Sequence, residues 1–181
     1  MKGTIYYTIL DAEKNLNKYH HIAGQMLLKA GLKDLYGKDL ETMEQAFGEH
    51  GKPFLKSEPG IHYNISHSGK YAVCVFAPEE VGIDVQEHRQ VNYRRLLEKM
   101  VPDSMISQIM EYPHPEKAFY TQWVLREAYI KWTGQGLSQN LKEIPMDRGE
   151  SMLLTLDEGY SGAVWTESPA EFEWVYKKIE L

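Results

Sequence analysis

The sequence predicts an α+β fold built from two similar halves. Each half carries one long stretch of helical spacing. In each, that stretch leads through irregular segments to three short β-rich runs, and this duplicated order of elements suggests halves packed with pseudo-twofold symmetry around a shared site. A chain of 181 residues, 43% hydrophobic and 25% charged, is large enough for one domain or two small halves sharing a core.

Taken in order, Thr4 to Leu10 (TIYYTIL) is β-rich and alternates weakly, predicting a first strand. From Glu13 to about Leu35, Leu16, Tyr19, Ile22, Ala23, Met26, Leu27 and Ala30 recur at helical spacing. A second helical stretch is expected from Leu40 to Phe47, ending at Gly48, before the loop GEHGKPFLKSEPG. IHYNI, KYAVCVFA and EVGIDVQ read as three strands, the last two joined by a hairpin turn at APEE. In the second half, helices are expected around Tyr93–Met100 and Ser104–Met110, then a long one from Glu116 to Thr133. SMLLTL, YSGAVWTE and EFEWVYKKIEL close the chain as strands. The halves divide as residues 1–88 and 89–181.

The net charge of −6 argues against a general nucleic-acid or membrane-surface binder. Cys74 is the single cysteine and sits in an apolar run, so no disulfide framework exists and a reducing compartment is expected. MKGTIYYTILDAEKN has no signal-like apolar stretch, and no run reaches membrane-spanning length. A soluble cytoplasmic protein is expected.

The long second helix poses a chemical question. On a helical wheel Phe119, Tyr120, Trp123, Val124, Ala128 and Ile130 fill about half the circumference, and Glu127 and Lys131 land inside that sector. On a solvated face such an i,i+4 pair contributes only about 0.3–0.5 kcal/mol. Among aromatics, both charges are expensive to bury unless they pair with each other or coordinate a ligand. A buried structural pair and a functional site both satisfy that demand.

A strand supplies a possible complement. In EVGIDVQ, Val81, Ile83 and Val85 take one face while Gly82, Asp84 and Gln86 take the other. An acid and an amide on one face, with Glu127 as a second carboxylate, suit Mg²⁺, which completes its octahedron with water and phosphate oxygens. Lys52 in GKPF and Asn64, Ser66, His67 and Ser68 in NISHSG are expected on polar loops, and lysine, imidazole and hydroxyl groups are natural phosphate partners. The adjacent Ser66 and His67 do not by themselves set a nucleophile–base geometry, and no nucleophile elbow, zinc spacing, Walker loop or dinucleotide fingerprint occurs.

In chain order, GKPF, NISHS, GIDVQ and WVLREAYIKWTGQGL resemble the signature series of the phosphopantetheinyl transferases, of the type that activates surfactin synthetase. The resemblance runs from Gly51 to about Leu137, roughly half the chain. It implies transfer of the phosphopantetheine arm of coenzyme A to a serine of an apo acyl or peptidyl carrier protein, with release of adenosine 3′,5′-bisphosphate. It implies the family's fold, a pseudodimer of α+β halves with coenzyme A and Mg²⁺ in the cleft, a monomer being sufficient. Carried over position by position, Asp84 and Glu127 become Mg²⁺ ligands, with Gln86 where the family has a second acid. Glu127 also helps deprotonate the serine, and Lys131 contacts the diphosphate and the departing bisphosphate. Lys52, Ser66, His67 and Arg126 join Lys131 in holding coenzyme A, Arg126 standing where the family has lysine. Gln86 brings no charge, so weaker Mg²⁺ binding is expected than in an all-acid site. Arg94, Arg95 and Lys99, with Met100, Val101 and Met105, form the expected docking surface for an acidic carrier helix. The competing readings are a catalytically silent relative that binds coenzyme A or carriers, and an unrelated Mg²⁺ phosphohydrolase using the same two carboxylates.

Overall fold

The chain's first strand, β1 (Lys2–Ile9), becomes the centre of a four-stranded sheet. In this computed structural model the described residues are 1–11, 16–136 and 141–181, excepting the side chains of 16–18. Helix α1 (Leu16–Tyr36) follows, then a single 3-10 turn (Leu40–Thr42) and the strands β2 (Gln45–Phe47), β3 (Pro53–Leu55), β4 (His62–Ser68), β5 (Tyr71–Ala77) and β6 (Gly82–Glu87). Helices α2 (Tyr93–Leu97), α3 (Asp103–Met110) and α4 (Pro115–Thr133) lead to β7 (Glu150–Leu153), β8 (Tyr160–Thr166) and β9 (Glu173–Lys178). The fold is mixed α+β, as expected. The first residues of the expected first helix and Leu137, at the end of the long motif, lie outside the described side chains.

Two main sheets form, and they exchange strands. The first has the order β4-β5-β1-β9, with β1 antiparallel to β5 and parallel to β9; the second is the antiparallel β6-β8-β7. The sequence reading expects each half to keep its own three antiparallel strands, and the structure corrects this. β6 leaves the first half for the second sheet, where Asp84 faces Ala163, and β9 returns to pair with β1. The APEE segment is therefore a crossover between sheets and not a hairpin turn. Glu79 ties it to the end of β8, its Oε1 accepting from the Thr166 hydroxyl (2.5 Å) and the Ser168 N–H (3.1 Å).

Side-chain alternation distributes the core. On β1 the Tyr6 face packs with Leu27, Leu28 and Leu32 of α1, and the Ile5 face packs with Val81, Ile83, Val85 and Val164 between the two sheets. Cys74 is fully buried in the α1 layer, and burial pushes its thiol up. Helix α4 lies on the second sheet through Val124, Ala128 and Trp132, while Phe119 and Tyr120 pack under α2 and α3. Burial of Arg126, Tyr129 and Trp132 as well makes α4 buried over more of its circumference than the wheel suggests.

Two further expectations change. The stretch Leu40–Phe47 is not a helix: Leu40 and Met43, three apart, reach the core from a 3-10 turn, and Gln45–Phe47 pairs with Pro53–Leu55. NISHS is not a loop, because β4 runs through Ser68. Among the described residues no helix is long and apolar enough to cross a membrane.

Candidate active site

β6 brings Asp84 against α4 only because Gly82 precedes it. A Cβ at Gly82 would lie 2.1 Å from the Ala128 carbonyl oxygen and 2.4 Å from the Trp132 nitrogen, both backbone atoms, so only glycine permits this approach. One strand pleat later Asp84 is 2% exposed and faces Glu127 and Lys131, one turn apart on α4. Gly134, with φ 71°, ends α4 in the left-handed conformation, and its N–H donates to the Ile130 carbonyl.

Asp84 is the hub. Lys131 Nζ donates to Asp84 Oδ1 (2.7 Å), the Ile83 carbonyl (3.0 Å) and Ser66 Oγ (3.0 Å). The Ser66 hydroxyl donates to the same Asp84 Oδ1 (2.9 Å), and Gln86 Nε2 donates to Asp84 Oδ2 (3.1 Å). Glu127 is 7% exposed, and its carboxyl is raised to about 7. Burial is the main cause and the charge of Asp84 adds to it, with Lys131 opposing. Two buried carboxylates face one ammonium, and the raised Glu127 carboxyl reflects that shortage of positive charge. Among the described residues no group of three or more His, Cys, Asp or Glu is placed to hold a metal ion. Glu87, the acid beside Gln86, projects to the other face, held by the Tyr160 hydroxyl (3.1 Å) and Arg89 (3.0 Å), and so does not replace it.

A cleft opens beside the hub, lined by His50, Lys52, Asn64, Glu127, Lys131 and Gly136 among others. Lys52 borders it just before β3, its ammonium donating to Glu80 (2.5 Å) and the Trp132 carbonyl (2.9 Å). His67 stacks on His20 of α1, ring centroids 4.6 Å apart, and His20 Nε2 lies 2.7 Å from the Gly69 carbonyl. Desolvation, then the neighbouring His20, Lys131 and His21, hold the His67 imidazole below its ordinary value. Asp84, Gln86, Glu127, Lys131 and Ser66 are thus gathered at one point, with Lys52 on the adjoining cleft wall.

Arg126 does not join them. Its guanidinium is buried, donating to the Met100 carbonyl (2.7 Å) and to the Gln122 carbonyl (3.2 Å) and side chain (2.7 Å). This placement ties α4 to the α2–α3 connection, and its hydrogen bonds go to Met100 and Gln122 and not to the Asp84–Lys131 cluster. The expected docking surface changes as well: Met100 and Val101 are 1% and 0% exposed core residues, leaving Arg94, Arg95 and Lys99 exposed and Met105 half-buried. Sequence reasoning missed His20, Glu80 and the requirement at Gly82. The glycine stood in the motif itself, whereas nothing local marks the other two.

Comparison with known proteins identifies the family. The family model described as the 4′-phosphopantetheinyl transferase superfamily matches residues 80–178, more than half of the chain, including β6 and α4. A Bacillus subtilis 4′-phosphopantetheinyl transferase is 30% identical over 129 residues, covering 70% of this chain and 54% of the relative. One from Bacillus pumilus is 26% identical over 185 residues, covering 92% and 76%, and one from Aneurinibacillus migulanus is 24% identical over 157 residues, covering 86% and 65%. The match to the Bacillus subtilis protein spans about half of its length. With the family model matching the strand and helix that carry the Asp84–Glu127–Lys131 cluster, this chain belongs to the 4′-phosphopantetheinyl transferase superfamily.

Proposed function

We propose that this chain transfers the phosphopantetheine arm of coenzyme A to a serine of an apo acyl or peptidyl carrier protein. The carrying observation is the cluster of buried Asp84 and Glu127 with half-buried Lys131 at a cleft that Lys52 borders. Family membership supports the same reading. In the reaction the serine Oγ forms a new P–O bond to the phosphorus bearing the pantetheine arm. The P–O bond to the nucleotide half breaks, and adenosine 3′,5′-bisphosphate leaves.

Glu127 fits the proton acceptor, because a carboxyl raised to about 7 is a far stronger base than an ordinary glutamate at neutral pH. Lys131, whose three N–H groups are held by Asp84, Ser66 and the Ile83 carbonyl, acts through its positive charge and offsets charge on the departing group. Lys52 holds a phosphate group of coenzyme A at the cleft rim, and His67, stacked on His20, is a second phosphate partner. Asp84 and Glu127, with the neutral Gln86 amide, would hold Mg²⁺, and the donor set fits: two buried carboxyl groups face the single charge of Lys131, which leaves room for one further cation. When bound, the ion supplies charge neutralisation at the diphosphate.

The reading includes two related halves, α1 on the first sheet and α4 on the second, dividing near residue 88 with the cleft between them. One copy then contains the whole site, and a monomer in the cytoplasm suffices. Chromatography of a reaction with coenzyme A, Mg²⁺ and a panel of apo carriers tests it. Adenosine 3′,5′-bisphosphate should form in step with modified carrier. Binding of coenzyme A without that product would favour the silent relative, for which Gln86 in place of an acid is the supporting feature.

A further inference from the structure

β4 and β6 belong to different sheets, yet they are joined by three rungs at constant offset. The Ile83 N–H donates to Asn64 Oδ1 (3.0 Å), the Val85 N–H to Ser66 Oγ (3.2 Å) and the Glu87 N–H to Ser68 Oγ (3.0 Å). β6 spends its other edge on β8, so these three N–H groups would otherwise be orphans of a strand edge, which buried backbone does not tolerate. Alternate residues of both strands match because side chains and N–H groups each repeat every second residue along a strand.

The middle rung also reaches the site. A serine hydroxyl has one proton to give and two acceptor positions. Ser66 uses all three: it donates to Asp84 Oδ1 (2.9 Å) and accepts from Val85 N–H (3.2 Å) and Lys131 Nζ (3.0 Å). At 4% exposed it has no capacity left for another partner. A slip of β6 by one residue would swing Asp84 from α4 into the apolar layer that holds Ile83 and Val85.

We infer that Asn64, Ser66 and Ser68 form a side-chain zipper that sets the register of β6 against β4, and that Ser66 thereby acts as a positioning residue for Asp84 and Lys131, not as a coenzyme A contact. The register half stands on geometry alone; the catalytic half rests on the transferase reading.

The test is residue-resolved amide hydrogen exchange of the full chain, wild type against S66A and S68A, with the Leu28 amide of α1 as an internal control. S66A should speed Val85 exchange about tenfold or more, the scale set by one lost buried hydrogen bond, while Leu28 is unaffected. S68A should do the same to Glu87 alone, and it decides the register half if S66A does not fold. In turnover assays S66A should lower kcat and leave the KM for coenzyme A unchanged. Unaltered Val85 and Glu87 exchange overturns the zipper. A raised KM at unchanged kcat overturns the positioning role and returns Ser66 to a ligand contact. If the wild type transfers nothing, the exchange result still decides the register, and only the catalytic half falls.

Discussion

Lys131 Nζ sits 2.7 Å from Asp84 Oδ1, one helical turn beyond Glu127, so a strand of the second sheet and the longest helix of that layer meet through a partly buried ion pair. That pairing satisfies one carboxylate, while burial first and the Asp84 charge second disfavour the charge of Glu127.

The consequence for pH follows from the sign of the shift. Glu127 rises from 4.5 to about 7 on folding. Below pH 4.5 both folded and unfolded chains carry the proton, and the stabilising effect of keeping it is complete. Between 4.5 and 7 the unfolded chain releases it first, so that stability is lost as pH rises through the folded value, by roughly 3 kcal/mol at most. In EDTA, Glu127→Gln should therefore be more stable than wild type at pH 8 and equal to it at pH 4. Urea unfolding at the two pH values measures this; an unchanged or lowered stability at pH 8 contradicts it.

Gln86→Glu should tighten Mg²⁺ binding by about tenfold, because ligand charge strongly tunes affinity at oxygen sites. The Mg²⁺ concentration that gives half the maximal rise in Tm measures it. An unmoved midpoint would show that residue 86 is not part of the cation site.

Arg126→Ala should lower stability by about 2–3 kcal/mol, the scale of a lost hydrogen bond to a charged group. Its partners are Met100 and Gln122, not the cleft. The KM for coenzyme A should stay unchanged. Full stability with a raised KM would reverse the assignment.

Gly82→Ala should cost about 2–4 kcal/mol through overpacking, since the new methyl meets two backbone atoms that cannot rotate away. The urea midpoint reports it. A variant as stable as wild type would mean that β6 can retreat from α4 without loss.

Much of this was legible because two periodicities carry it. Period 2 in EVGIDVQ separates Ile83 and Val85 from Asp84 and Gln86, and the structure keeps that separation between the apolar layer and α4. Helical spacing brings Glu127 and Lys131 to one face. What periodicity cannot express is which sheet a strand joins. β6 and β9 trade places because pairing depends on distant partners, which local pattern does not name. NISHS reads as a loop because polar residues in a strand look misplaced until their partners, the N–H groups of β6, are known. Arg126 keeps the family's charge in sequence, but its position on the wheel turned out to face Met100.

The most direct measurement is the intact mass of an apo carrier protein incubated with this chain, coenzyme A and Mg²⁺, beside an EDTA control. The account predicts a gain of one phosphopantetheine arm, abolished by EDTA and by Glu127→Gln. No gain across acyl and peptidyl carriers, or a gain that persists in the Glu127→Gln variant, would contradict it.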